Sequence, residues 1–282
     1  MVELKKKYRK KIRLGFMQGR LVDSEKRGRV QYFPEKNWTK EIIIAHEIGF
    51  DTMEWTIDYD NLNKNPIFNG DLKKLKKILK QYKLKVTSIT LDYFMQKPFF
   101  KKKKDEKIII LNNLSKIIKN SKKIGINKII IPLVDNSSLK NSDEEKNLIF
   151  ELKKLSKKFP SINFLFESDY KPKKLFSFIK KFKNKQFGIN YDTGNSASLD
   201  YDFKEEKCYF KYVKNIHIKD RKKKSTTVRL GNGNWKYREF FKYIKKSNYS
   251  GNFILQTARC DKKNHVKEIL LNKEFFEKNY FV

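Results

Sequence analysis

The sequence is poor in cysteine, because its 282 residues contain only Cys208 and Cys260. Two cysteines are too few for a disulfide framework or a cysteine-based zinc site, so both kinds of stabilisation are excluded. No apolar run approaches the length of a membrane-spanning helix, and no apolar segment follows the basic stretch 1–13. We therefore expect a soluble cytoplasmic protein that has no membrane partner.

Acidic residues are also scarce, with 32 Asp and Glu against 66 Lys and Arg, and the net charge is +34. Such a charge attracts anions, so nucleic acids and phosphorylated metabolites are both candidate ligands. The lysine runs are dispersed along the chain, however, and do not gather in one basic segment. We interpret the excess as compositional and do not expect a nucleic-acid partner.

Linkers rich in proline, glycine or serine are absent, and short β-rich runs alternate instead with longer amphipathic stretches. The predicted strands are residues 12–18, 52–57, 84–90, 128–133, 162–167, 187–192, 214–218 and 252–257. The predicted helices are residues 39–48, 71–82, 106–124, 143–159, 172–182, 203–212, 235–246 and 266–280. Eight strands, each followed by a helix, predict an α/β protein, a (β/α)8 TIM barrel that forms a single domain over residues 1–282. The two longest loops after strands, 19–38 and 219–234, are candidate lids.

Possible metal ligands stand at or near the ends of the last four predicted strands: Glu167, Asp192, His217 and Gln256. In a barrel these strand ends meet at one face, where the active sites of such proteins lie. Carboxylate, amide and imidazole groups bind hard or borderline divalent cations. The sequence therefore predicts a site for Mn²⁺, Mg²⁺ or Zn²⁺.

The order of these segments resembles the xylose-isomerase-like barrels, a family that contains sugar-phosphate isomerases and epimerases, ketose 3-epimerases and endonuclease IV. The resemblance rests on GFMQGRL at 15–21, QYFP at 31–34, GFDTMEW at 49–55, DYFM at 92–95, FE at 166–167, DTGN at 192–195, HIKD at 217–220 and LQTAR at 255–259. These segments match the sugar-phosphate isomerase and epimerase branch best. The resemblance implies a metal-dependent enzyme of sugar metabolism.

The resemblance also implies that Glu167 is both a metal ligand and the catalytic base, as the matching glutamate is in the epimerases. Gln256 departs from the ketose 3-epimerases, which have a second catalytic glutamate at this position. An amide keeps an oxygen ligand but cannot take up a proton at neutral pH. Glu167 then works alone, or Glu54 or Lys219 replaces the missing carboxylate, or the chemistry differs; the sequence leaves these alternatives open.

Basic side chains after several strands are candidate contacts for the substrate. Arg20, Arg229 and Arg259 follow the first, seventh and eighth predicted strands, and guanidinium groups suit a phosphate or carboxylate. Arg221 and Asn195 complete the predicted substrate-binding set.

We therefore predict an isomerase or epimerase of a sugar or sugar phosphate, which abstracts a proton next to a carbonyl and gives an enediolate held by the metal. A homo-oligomer is compatible with the sequence. The alternatives are a dehydratase that starts with the same proton abstraction, a non-catalytic sugar-binding barrel suggested by Gln256, and a nuclease of the endonuclease IV type. That nuclease family binds three zinc ions with several histidines, whereas this chain has only His46, His217 and His265, and Asn195 replaces a ligand histidine.

Overall fold

The computed structural model describes residues 13–23, 31–259 and 264–281. At its centre, eight parallel strands pair in sequence order and the first closes on the last, so the predicted barrel is confirmed. The strands are β1 Arg13–Met17, β2 Thr52–Thr56, β3 Lys85–Thr90, β4 Lys128–Leu133, β5 Asn163–Ser168, β6 Phe187–Asp192, β7 Val213–Ile218 and β8 Asn252–Leu255. Residue 12 of the first predicted strand and residues 24–30 of the predicted loop 19–38 lie outside the described residues.

Helices cover the outside of the barrel. The longer ones are Trp38–Glu47, Leu72–Gln81, Lys104–Lys122, Ser142–Lys158, Pro172–Lys180, Tyr237–Lys246 and His265–Phe281. The shorter ones are Pro66–Asn69, Asp92–Gln96, Thr193–Leu199 and Phe203–Glu206, with 3-10 segments at Leu62–Lys64, Phe99–Lys101, Asp135–Ser137 and Lys207–Tyr212. The helix predicted at 203–212 is therefore α-helical only in its first turn and continues as a 3-10 segment.

The side chains of each strand point alternately outward, into the layer between sheet and helices, and inward, into the barrel. In β5, Phe164 and Phe166 are fully buried, and the Phe166 ring lies 5.0 Å from the Phe182 ring in the helical layer. Successive side chains of a strand point to opposite faces, so Glu167 points into the barrel. The aromatic packing outside the sheet thus fixes the orientation of a candidate ligand inside it.

The loop after β7 is organised by one buried carboxylate. The side chain of Asp220 accepts hydrogen bonds from the backbone N–H groups of Gly231, Gly233 and Trp235 at 2.9–3.0 Å. A Cβ atom at Gly233 would lie 2.1 Å from Asp220 Oδ1, so only glycine fits this close approach. The loop also forms a small hairpin from Asp220–Arg221 and Thr227–Val228.

Candidate metal centre

Three of the four predicted ligands come together at the carboxyl-terminal mouth of the barrel. Glu167, Asp192 and His217 lie on the adjacent strands β5, β6 and β7, and their ligand atoms all lie within 4.8 Å of one another. Their exposed fractions are 7%, 5% and 0%. Buried carboxylates held this close to an imidazole are a candidate site for a divalent cation.

Glu54 orients the histidine of this cluster. His217 Nε2 lies 2.6 Å from Glu54 Oε1, while its Nδ1 faces the mouth, 3.1 Å from Glu167 Oε2. The second carboxylate oxygen of Glu54 accepts hydrogen bonds from Ser88 Oγ at 2.7 Å and Asn215 Nδ2 at 2.9 Å. Glu54 was one candidate from the sequence to replace the missing carboxylate, and the structure places it in the middle of β2, beside the histidine and fully buried. Its geometry is that of a group that fixes the ring of a metal ligand.

The electrostatics of the cluster favour positive charge. Burial by itself lowers the pKa of His217, but the carboxylates of Glu54 and Glu167 raise it to about 10. Burial raises the pKa of Glu167, yet the hydrogen bond and charge of His217, together with Lys219, bring it below its ordinary value. Burial and the charge of Glu167 raise the pKa of Asp192. A divalent cation would therefore stabilise both carboxylates, and Mn²⁺, Mg²⁺ and Zn²⁺ all accept two carboxylates and an imidazole.

Gln256, the fourth predicted ligand, is joined to the cluster through Lys219. The Nζ atom of Lys219 lies 3.4 Å from Asp192 Oδ2 and 3.2 Å from Gln256 Oε1. The amide of Gln256 in turn donates from Nε2 to Gln31 Oε1 at 2.5 Å. The lysine ammonium thus stands between Gln256 and the carboxylate of Asp192.

Two asparagines hold the carboxylate of Glu167. Asn195 Nδ2 donates to its Oε1 and Asn190 Nδ2 to its Oε2, each at 3.0 Å. Asn195 is placed by Asp192, whose Oδ1 accepts from the backbone N–H groups of Gly194 and Asn195 at the start of the helix Thr193–Leu199. Asn195 was predicted to bind substrate; the structure places it in the cavity but in contact with Glu167.

A cavity of about 380 Å³ opens above the cluster. Its walls include Arg20, Lys219, Arg221, Glu167, Asn195 and Gln256. Arg20 is 3% exposed and donates from Nε to the carbonyl of Thr257 at 2.9 Å. Arg221 hydrogen-bonds the carbonyl of Ser225.

The other two predicted arginines do not line this cavity. Arg229 makes a two-pronged contact with Glu268, at 2.9 and 2.6 Å. Arg259 donates to the carbonyl of Val22 at 2.5 Å and lies over the ring of Tyr32. Both guanidinium groups make contacts within the protein that a sequence pattern cannot reveal.

Asp92 and Gln31 are candidate functional residues that the sequence interpretation did not name. Asp92 lies just after β3 and lines the cavity with Glu167, and Gln31 Nε2 donates to its Oδ1 at 3.0 Å. Burial, followed by repulsion from Asp58 and Glu167, raises the pKa of Asp92 to about 8. Its position after a barrel strand was the available signal, since such positions carry function in barrels.

The sequence matches the family described as xylose isomerase-like TIM barrel over residues 42–275. The chain belongs to this family. No curated protein matches the sequence.

Solved structures with the same fold cover nearly the whole chain at low identity. The D-allulose 3-epimerase from Methylomonas sp. in complex with D-allulose is 14% identical, with a TM-score of 0.74, over 96% of this chain and 98% of that chain. A xylose isomerase-like barrel from Mycobacterium smegmatis in complex with magnesium is 15% identical, with a TM-score of 0.71, over 96% and 97% of the two chains. The IOLI protein with bound zinc is 14% identical, with a TM-score of 0.72, over 95% and 98%. At these identities the likeness shows the fold.

Across the described residues, no helix is both long and apolar enough to cross a membrane.

Proposed function

We propose that the protein is a metal-dependent isomerase or epimerase of a sugar or sugar phosphate. The observation that carries this proposal is the buried cluster of Glu167, Asp192 and His217, with Glu54 behind the histidine. Similarity to a D-allulose 3-epimerase and an L-ribulose 3-epimerase supports a sugar as the substrate. Arg20, Lys219 and Arg221 around the same cavity suit the oxygens of a sugar or its phosphate.

Glu167, Asp192 and His217 are the residues that would hold the divalent metal. When bound there, the metal supplies a Lewis acid that polarises a carbonyl oxygen. Glu167 acts as the base: its lowered pKa keeps it ionised, and Asn190 and Asn195 fix the carboxylate. It takes the proton from the carbon next to the carbonyl, and Lys219 donates hydrogen bonds to substrate oxygens.

The second proton carrier in this proposal is Asp92. Gln256 cannot exchange a proton. Its amide donates a hydrogen bond to Gln31, however, and Gln31 donates one to the carboxyl group of Asp92. Asp92 lines the same cavity as Glu167, and with a pKa of about 8 it holds a proton at neutral pH that it can deliver. Glu54 is fully buried against His217, and Lys219 is hydrogen-bonded to both Asp192 and Gln256. Asp92 therefore fits the role of second proton carrier better than either residue.

The test combines metal analysis with proton exchange. Purified protein is analysed for Mn, Mg and Zn, and a panel of ketoses and ketose phosphates is then incubated with it in D2O. We expect deuterium next to the carbonyl of at least one compound, and loss of this exchange after chelation. A dehydratase would instead release water and give an unsaturated product. Exchange that survives complete removal of metal would overturn the proposal.

The nuclease alternative is disfavoured by the positions of the histidines. His46 lies on the outer helix Trp38–Glu47, with its ring 5.7 Å from the Tyr82 ring, and His265 contacts Asp23 at 3.0 Å. Only His217 lies in the cluster, as far as the described residues extend. We therefore expect no metal-dependent cleavage of abasic DNA, which a gel assay at physiological salt would check.

A further inference from the structure

A second large cavity lies at the opposite, amino-terminal face of the barrel. It has a volume of about 700 Å³ and is lined by the four lysines Lys128, Lys211, Lys214 and Lys246. No aspartate or glutamate of the described residues lines it, whereas Asp92, Asp135 and Glu167 offset the basic groups of the mouth cavity. In this family of folds catalysis occurs at the other face, so the proposed function makes no use of these lysines.

Two of the lysines are partly buried and form no ion pair with an aspartate or glutamate that the structure describes. Lys128 begins β4, and its Nζ has no hydrogen-bond acceptor among the residues that the structure describes. Burial lowers the pKa of Lys128, and although Glu54 opposes this, the charges of Arg13 and Lys214 add to it. Lys214, in β7, donates only to neutral oxygens, at Asn163 Oδ1 and the carbonyl of Lys185. Partly buried ammonium groups that repel one another are destabilising, and a bound anion would offset this repulsion.

We propose that this cavity binds an anion that carries two or more phosphate groups. Its four ammonium groups come from separate elements, namely β4, the segment Lys207–Tyr212, β7 and the helix Tyr237–Lys246. A volume of about 700 Å³ is in the range of small-molecule sites and exceeds what a single phosphate fills. Phe210, Tyr243 and Tyr249 supply an aromatic wall for an attached group.

The charged region extends beyond the first cavity. An adjacent cavity of about 610 Å³ shares Lys211 and Lys214 and adds Lys180, Lys183 and Lys185, and within the part of the chain that the structure describes no acidic residue lines it. The linked phosphates of a small metabolite and those of a nucleic-acid backbone present the same chemistry to such a surface. The experiment therefore has to distinguish a phosphorylated metabolite from a nucleic acid. It also has to distinguish specific binding in this cavity from general attraction of anions to the positive charge of the chain.

Calorimetric titration of the full chain with sodium pyrophosphate, at a fixed ionic strength of about 0.15 M, tests the site. Lys128 and Lys214 lie at the amino-terminal ends of β4 and β7, which form the floor of the barrel. The double variant Lys128→Met with Lys214→Met is called the floor variant. The control variant is Lys73→Met with Lys77→Met, which removes the same charge from exposed positions of the helix Leu72–Gln81. We expect the floor variant to lose at least about tenfold in affinity, which corresponds to roughly 1.4 kcal/mol of binding free energy. The control should lose less than about twofold, because its two lysines lie outside the cavity. Equal losses in both variants, or no binding by the parent, would overturn the proposal.

Thermal unfolding supplies a second readout that a merely structural role of the lysines would not give. Without anion, the floor variant should unfold at a higher temperature than the parent, because two repelling charges have been removed. It should also lack the rise in unfolding temperature that pyrophosphate gives the parent. A floor variant that is less stable than the parent and still stabilised by pyrophosphate contradicts the proposal.

Competition by a short DNA duplex identifies the source of the phosphates. If the duplex displaces pyrophosphate and its own affinity falls in the floor variant, the backbone of a nucleic acid is an occupant of the site. If the duplex does not displace pyrophosphate, the site belongs to a free phosphorylated metabolite. Both outcomes support a specific anion site in this cavity. The proposal is refuted if pyrophosphate does not bind and the affinity for the duplex falls equally in the floor variant and the control variant.

Discussion

The carboxylate of Glu54 holds His217 by its Nε2 atom, at 2.6 Å, and thereby directs the Nδ1 atom of the ring towards Glu167 and Asp192. Both side chains are fully buried, so no water competes for this contact. Ser88 and Asn215 occupy the other oxygen of Glu54 and keep the carboxylate in place. The contact joins a residue of β2 to one of β7 across the barrel, and it determines which histidine nitrogen can bind a metal.

Glu54→Gln should therefore weaken metal binding without unfolding the protein. Loss of a carboxylate that orients a ligand histidine typically costs about 10–100-fold in metal affinity. Calorimetric titration with Mn²⁺ or Zn²⁺ measures this loss, and Ser88→Ala, which removes one contact of the same carboxylate, should have a smaller effect. Unchanged affinity together with complete loss of proton exchange would instead assign Glu54 a direct catalytic role.

Glu167 and Gln256 should respond differently to an exchange of amide and carboxylate. Glu167→Gln should abolish deuterium incorporation, because a general base contributes about 10²–10⁴-fold and an amide cannot act as one. Gln256→Glu should preserve metal binding, since its added carboxylate faces Lys219 at the position of Gln256 Oε1. Mass spectrometry of the ketose after incubation in D2O checks both variants. If Glu167→Gln keeps full exchange, the base is another residue.

The sequence predicted the barrel and three of the clustered residues because both depend on local patterns. Glu167, Asp192 and His217 each stand at or near a strand end, and the pleat of a strand fixes which side chains point inward. The partner of Arg229 was beyond such reasoning, because Glu268 lies on the final helix and their contact depends on the path of a long loop. Gln31 was missed for the same reason, since its link to Gln256 spans 225 positions.

Asp92→Asn should separate the two proton transfers of an epimerisation. Exchange at the carbon next to the carbonyl needs only Glu167, so deuterium incorporation should persist in this variant. Formation of the epimer needs a second proton carrier and should fall by about 10²-fold or more. Nuclear magnetic resonance follows deuterium and epimer in the same sample. The double variant Asp92→Asn with Gln256→Glu should recover epimer formation, and failure of the single variant to affect it would remove Asp92 from the mechanism.

Glu206 should make the stability of the protein depend on pH. Its carboxyl group is 1% exposed and accepts hydrogen bonds from Tyr191, Ser196 and Tyr209, which anchors the helix that carries Asn195. Burial raises the pKa of Glu206 from 4.5 to about 7, although these hydrogen bonds lower it in part. The folded state therefore binds the proton more tightly than the unfolded state does.

The sign of the effect follows from this difference in proton binding. The stabilising contribution is fully present below pH 4.5 and is lost as the pH rises to about 7, with a slope of at most about 1.4 kcal/mol per pH unit. Glu206→Gln should remove this dependence, since a neutral amide still pairs with the surrounding hydroxyl groups, whereas Glu205→Gln on the exposed side of the same helix should retain it. Urea unfolding at several pH values between 4.5 and 8, on the metal-free protein, gives the free energy of unfolding for each variant. Parallel pH profiles for the parent and Glu206→Gln would show that this carboxyl group does not bind its proton more tightly in the folded state.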